Sequence, residues 1–168
     1  MLVYKDILSG DAVLSDSYEI GKWYEGTVFK VKSKQIKVCN NDFDIEDDKG
    51  DSDDKNQGEN CEMIIDVVHS FSLQETSFDK KSYMSYIKSY MKKINGELEK
   101  SNSSRIDVWK KNMQDFVKYI LGNFEDFQFF TGEKMDVEAM IILAKYEKDD
   151  DTAPTFYYIA DGLKAEKV

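Results

Sequence analysis

The chain has 168 residues, a mass of 19.5 kDa and a formal net charge of −10, with 41% hydrophobic and 13% aromatic residues. That length fits one domain spanning residues 1–168, with enough aromatic side chains to build a core. No apolar run approaches a membrane span, and Met1 to Asp6 carries charges where a secretory signal needs its apolar stretch, so a cytoplasmic location is expected. The cysteines, Cys39 and Cys61, suit a reducing compartment and speak against a disulfide scaffold or a zinc knuckle.

The charge is unevenly placed. Residues 42–62 hold ten acids against two lysines, whereas residues 79–122 hold nine lysines and one arginine against five acids. An acidic element and a basic element therefore share one molecule.

In chain order, residues 2–4 read as a short strand and residues 11–16 as a polar turn carrying Val13 and Leu14. Residues 27–31 and 35–39 alternate apolar and polar positions across the linker 32–34, a hairpin pattern. Residues 40–62 form the predicted flexible acidic loop, because residues 40–60 offer almost nothing to bury against their ordering entropy. Strand character returns over residues 63–68, a reading that leaves His69 at a strand end.

Two helices follow. Tyr83, Ile87, Tyr90, Met91, Ile94 and Leu98 fall at three- and four-residue steps, with Asp79 placed to cap the start and Phe78 and Tyr83 placed as a hydrophobic staple. Ile106, Trp109, Met113, Phe116, Val117, Ile120 and Leu121 make a second stripe, with Ser104 and Asp107 spaced as a capping box and Gly122 as the stop. The short link predicts an antiparallel helical hairpin over residues 79–122. Strands near 127–130, 140–145 and 155–160 close the chain. Strands interrupted by one helical hairpin indicate an α+β fold.

The chemistry of the side chains points to no reaction. His69 is the one histidine, so a nucleophile–His–carboxylate set has a single possible base, and with two cysteines no four-ligand zinc site forms. Gly21-Lys22 lacks the other parts of a phosphate loop, and carboxylates in a mobile loop do not hold acid–base geometry. The chain reads as a non-enzyme with no tightly bound cofactor.

A resemblance sharpens this picture. Phe124, then Phe129-Phe130-Thr131-Gly132-Glu133, then Glu138-Ala139-Met140-Ile141-Ile142 and Tyr146 resembles the signature of the translationally controlled tumour protein family, as does Leu73-Gln74-Glu75-Thr76-Ser77-Phe78. Tyr4-Lys5-Asp6, Ser15-Asp16 and Asp161-Gly162-Leu163 extend it along the chain. The resemblance implies an Mss-four-like β-tent with a projecting antiparallel helical hairpin and a disordered acidic loop. It also implies calcium binding, association with tubulin and microtubules, anti-apoptotic and growth roles, links to translation, and export without a signal peptide in some members.

Three candidate sites emerge. Asp44, Asp47, Asp48, Asp51, Asp53 and Asp54 offer hard oxygen ligands for weak calcium binding, with the turn Asp149-Asp150-Asp151 as a competing location; their spacing is not that of an EF-hand. Lys80, Lys81, Lys88, Lys92, Lys93, Lys110 and Lys111 offer a dock for an acidic partner such as tubulin. Asp11, Asp16, Gly132 and Glu133 mark the side that the resemblance assigns to a small GTPase or a translation elongation factor. Ala12 departs from the glutamate many family members carry there, which removes one proposed contact. Neither nucleic acid nor membrane is an expected partner: the overall charge opposes a phosphate backbone.

Overall fold

The computed structural model describes residues 1–39 and 61–167. Among these residues it has eleven strands, β1 (Leu2–Asp6), β2 (Ala12–Ser15), β3 (Ile20–Trp23), β4 (Val28–Lys32), β5 (Gln35–Cys39), β6 (Cys61–Ile65), β7 (Gln74–Thr76), β8 (Gln128–Thr131), β9 (Ile142–Lys145), β10 (Thr155–Ile159) and β11 (Leu163–Lys167). Three α-helices join them: α1 (Asp66–Phe71), α2 (Lys80–Ser101) and α3 (Ile106–Gly122).

All pairings are antiparallel. A six-stranded sheet runs β3-β4-β10-β9-β8-β7, a three-stranded sheet runs β11-β1-β2, and β5 pairs with β6 in a separate ribbon. Every residue of β10 is buried because both faces of the large sheet are covered. On one face Phe130 packs on Phe156, and the small sheet brings Tyr4 against Phe29 and the Val13 carbonyl to the Tyr158 hydroxyl. On the other face the hairpin sets Phe116 against Trp23 and Tyr157, and Tyr83 against Phe129. Such aromatic pairs contribute about 0.5–1.5 kcal/mol each beyond their burial.

The α+β architecture with its helical hairpin stands, and the helices follow the apolar periodicity. Tyr83, Ile87, Tyr90, Ile94 and Leu98 are buried on α2, and Trp109, Met113, Phe116 and Ile120 on α3. The Ser82 amide donates to Asp79 Oδ1 at 2.7 Å, which caps α2 and holds the Asp79 carboxyl below its ordinary range. Phe78 meets Tyr83 edge to face at 5.9 Å, completing the staple.

Several local expectations are corrected. The hairpin read across residues 27–39 does not form: β4 lies between β3 and β10, and β5 pairs with β6. The strand read over 63–68 stops at Ile65, because Asp66 Oδ1 accepts the amides of Val67 and Lys34 and turns the chain into α1. His69 therefore lies on a helix, exposed, and not at a strand end. Residues 12–15 are strand β2, and the turn lies between it and β1, closed by Gly10 donating to the Asp6 carbonyl. The Ser104 capping box is absent; Ser104 Oγ donates to Asn102 Oδ1, and α3 starts from a 3-10 turn over Ser103–Arg105. Cys61 and Glu62 belong to β6 rather than to the acidic loop, and Cys39 and Cys61 face each other across the ribbon and form a disulfide. Alternation alone had not shown that the two strand ends meet. Among the described residues no helix is long and apolar enough to cross a membrane.

Candidate functional site

The hairpin carries the basic residues because its two apolar stripes are spent on the sheet. All seven candidate lysines, Lys80, Lys81, Lys88, Lys92, Lys93, Lys110 and Lys111, are exposed. Among the described residues Lys93 alone of these makes an ion pair, a loose 3.8 Å contact with Glu138. Arg105 is a different kind of cation. Its guanidinium grips Asp161 through two hydrogen bonds of 2.9 and 3.2 Å and donates to Thr27 Oγ1, so it ties the hairpin turn to the sheet.

The lysines are not one cluster. Lys81, Lys88 and Lys92 share one stripe of α2, and Lys81 stands roughly 16 Å from Lys92 at 1.5 Å per residue. Lys88 and Lys92 repel at i, i+4, a cost of about 0.2–0.5 kcal/mol that the chain tolerates. Lys92 and Lys110 line the same groove between α2 and α3, about 420 Å³ in volume, together with Met91, Asn95, Trp109 and Gln114. Two of these lining residues carry buried side-chain atoms, Asn95 Oδ1 and Trp109 Nε1, that have no hydrogen-bond partner among the described residues. A buried polar atom left unpaired costs about 1–3 kcal/mol, so two in one place call for a cause. The sequence pattern assigned Trp109 to the apolar stripe and gave Asn95 no role; no spacing rule flags an unpaired atom.

The corner read from Asp11, Asp16, Gly132 and Glu133 is partly assembled. Asp11 is buried against Gly132, and its Oδ2 accepts the Lys134 amide at 3.0 Å. Gly132 has a steric reason to be glycine: an added Cβ would lie 2.6 Å from Asp11 Oδ2 and 2.8 Å from Asp11 Cβ. Asp16 is elsewhere, exposed beyond the far end of β2, where Oδ1 accepts the Leu2 amide. Glu133 is exposed, so of the four residues it is the one at this corner whose carboxylate faces solvent. The sequence reading missed Asp6 beneath this corner. Asp6 is buried, accepts the amides of Leu8 and Met140, and burial raises its carboxyl above the ordinary value. It also missed Met135 and Val137, which are 61% and 49% exposed in the loop after Gly132.

The six aspartates proposed for calcium, Asp44, Asp47, Asp48, Asp51, Asp53 and Asp54, lie outside the described residues. The competing acidic turn spends Asp151 Oδ2 on the Lys148 amide, and among the described residues no group of three or more His, Cys, Asp or Glu side chains is gathered as a metal site.

A family model described as translationally controlled tumour protein matches residues 1–164. A translationally-controlled tumor protein homolog from Schizosaccharomyces pombe is 44% identical over 169 residues, covering 99% of each chain. Homologues of the same description from Kluyveromyces lactis and Plasmodium yoelii yoelii are each 41% identical, covering 100% and 99% of both chains respectively. The solved structure of the translationally controlled tumor-associated protein p23fyp from Schizosaccharomyces pombe matches over 100% of both chains, with a TM-score of 0.83 and 42% identity.

Proposed function

This chain belongs to the translationally controlled tumour protein family, and from that premise we propose that it is a cytoplasmic binding protein without catalytic activity whose helical hairpin docks acidic protein surfaces, tubulin foremost. The carrying observation is that six of the seven hairpin lysines are exposed and unpaired among the described residues, on a helix pair whose apolar side is already buried. Such a surface steers an acidic partner over the Debye length, about 8 Å at physiological ionic strength, and releases it as salt rises. The supporting arrangement needs no side chain to react.

Replacing Lys88, Lys92 and Lys93 with glutamate inverts the middle of α2 without touching its buried face. Microtubule pelleting should fall at least tenfold at low salt, and wild-type pelleting should itself fade as salt increases. Unchanged pelleting of a folded variant removes the hairpin from the mechanism.

A second reading, regulation of nucleotide release from a small GTPase or an elongation factor, draws on one observation. Exposed Glu133 stands beside exposed Met135 and Val137 in a loop pinned to Asp11. Asp11, Gly132 and Ala12 do not strengthen it: the first two are occupied in holding the corner, and Ala12 sits half-buried in β2. Such a regulator needs only different affinities for two states of its partner. A fluorescent-nucleotide release assay comparing wild type with Glu133→Ala tests it; equal rates, with and without the protein, reject it. Weak calcium binding belongs to the proposal as well, and a calcium titration followed by amide shifts locates it or shows none.

A further inference from the structure

We infer that Cys39 and Cys61 form a reversible thiol–disulfide site, opened by a protein dithiol and closed by a peroxide, whose state sets how firmly the β5–β6 ribbon is ordered. The cytoplasmic reading above supplies the setting; the chemistry is tested on the purified chain and does not depend on that reading.

Three observations carry it. The two sulfurs are bonded at one end of the ribbon, where Cys39 stands opposite Cys61, and they belong to the only cysteines of the chain. In a reducing compartment a disulfide is as a rule transient, catalytic or redox-sensing rather than structural. The bond is also within reach of another protein. Gln35, Lys37 and Cys39 are exposed on one face of β5, while Ile36 and Val38 on the other are half-buried. The bridge therefore lies on the outward face, next to the pair of Lys37 with Met63, and Met63 is 58% exposed. Exposed bridges are the labile ones in thiol–disulfide exchange.

The third observation is that little else holds this end of the ribbon. Its other end is clamped. The Asp66 amide donates to the Lys34 carbonyl at 2.9 Å, the Lys34 amide to Asp66 Oδ1 at 3.0 Å, and Gln35 Nε2 to the Thr152 carbonyl at 2.8 Å. Ile65, beside that clamp, packs on the core, whereas Ile36, Val38, Met63 and Ile64 stand outside the core cluster. The ribbon joins neither of the larger sheets, and two strands alone are marginally stable in water. Beyond the clamp the pairing leans on the covalent bridge.

A thiolate of the dithiol attacks Cys39 Sγ, the more exposed sulfur, which forms a mixed disulfide and releases Cys61 as a thiolate that takes up a proton. The second thiol of the reductant then displaces Cys39, which is protonated in turn, and the reductant leaves as its own disulfide, two electrons poorer. In the reverse direction the Cys39 thiolate attacks a peroxide oxygen, giving a sulfenic acid and hydroxide. The Cys61 thiol condenses with that sulfenic acid, the S–S bond forms and water leaves. Two thiols and one hydrogen peroxide become one disulfide and two waters.

The test uses the whole oxidised chain with catalytic amounts of thioredoxin and thioredoxin reductase, and NADPH. One NADPH should be consumed per chain, and iodoacetamide should then label both cysteines under native conditions, with no label before reduction. One equivalent of hydrogen peroxide should remove both thiols and leave the chain monomeric. On reduction the NMR amide signals of residues 36–38 and 62–64 should shift, and their backbone order parameters should fall from about 0.85 to below about 0.6. Signals from β10 should stay in place. Cys39→Ser with Cys61→Ser should show the reduced ribbon spectrum in either buffer and consume no NADPH; if that variant does not fold, the reduced wild-type chain gives the same comparison. The inference is overturned if the native chain resists thioredoxin while the urea-unfolded chain is reduced, or if peroxide joins two chains instead of closing the ribbon. It is equally overturned if the ribbon signals ignore reduction, or if β10 changes as much as the ribbon, since the bridge would then hold the whole fold.

Discussion

Substituting Gly132→Ala tests whether the corner beside β1 and β2 is built for packing or for a partner. The new Cβ would meet Asp11 Oδ2 at 2.6 Å and Asp11 Cβ at 2.8 Å. A flexible side-chain tip could swing away, but a Cβ is fixed to the backbone, so relief requires moving Asp11 itself. Asp11 is held by its backbone carbonyl, which accepts the Asp6 amide, and by its carboxylate, which accepts the Lys134 amide. Overpacking of this kind costs about 1–3 kcal/mol. Losing the carboxylate contact leaves a buried group underpaired at about 1–3 kcal/mol more. Relaxation trades part of one for the other, so the expected loss is about 2–4 kcal/mol. For a chain of this size that lowers the melting temperature by roughly 5–15 °C. Urea unfolding of Gly132→Ala, Asp11→Ala and the double variant measures it, and the two changes should be strongly non-additive because both act on one contact. A Gly132→Ala loss below about 0.5 kcal/mol, the range of an ordinary surface change, refutes the packing account. Its glycine would then need explaining by what binds there.

Three further predictions follow from buried polar contacts and the ribbon. Asp6 holds its proton more tightly when folded, through desolvation; between its unfolded value, near 3.9, and its raised folded value the native state binds more protons, so its contribution to stability falls as pH rises. The stability difference between wild type and Asp6→Asn should therefore shrink from about pH 3.5 upward, and a difference that grows contradicts the sign. Arg105→Ala removes both bonds to Asp161 and the bond to Thr27; chemical denaturation should show a loss of about 2–3 kcal/mol, and less than 1 kcal/mol would mark the pair as an ordinary surface bridge. Cys39→Ser opens the closure across 22 positions of sequence and should cost about 3 kcal/mol in oxidising buffer. With reductant present, variant and wild type should unfold alike.

The disulfide and the site geometry divide what local reading reaches from what it does not. Asp79, Phe78 and Tyr83 could be read as a cap and staple because the contacts of a helix start lie within a few residues. Gly132 was legible as special, but the reason, Asp11 pressed against it, was not: the two meet only because the turn before β2 folds over the loop after β8. Ser104 and Asp107 had the spacing of a capping box, yet Arg105 is drawn to Asp161 and Thr27, and the tertiary grip sets the start of α3. Met135 and Val137 carry no signal in the sequence pattern, and only their exposure in the folded chain marks them.

By itself the chain dictated its two long helices, their buried faces, and the lysines left on the outside, because periodicity, capping and charge act between residues one turn apart. It also dictated that strands exist, since alternation is local. Which strands meet was decided only in three dimensions: β4 could have paired with β5 but pairs with β10, Lys32 opposite Thr155. Alternation fixes which side of a strand is buried and says nothing of its neighbour, so the joining of Cys39 to Cys61, the seat of Asp11 and the unpaired atoms of Asn95 and Trp109 all waited on the tertiary contacts.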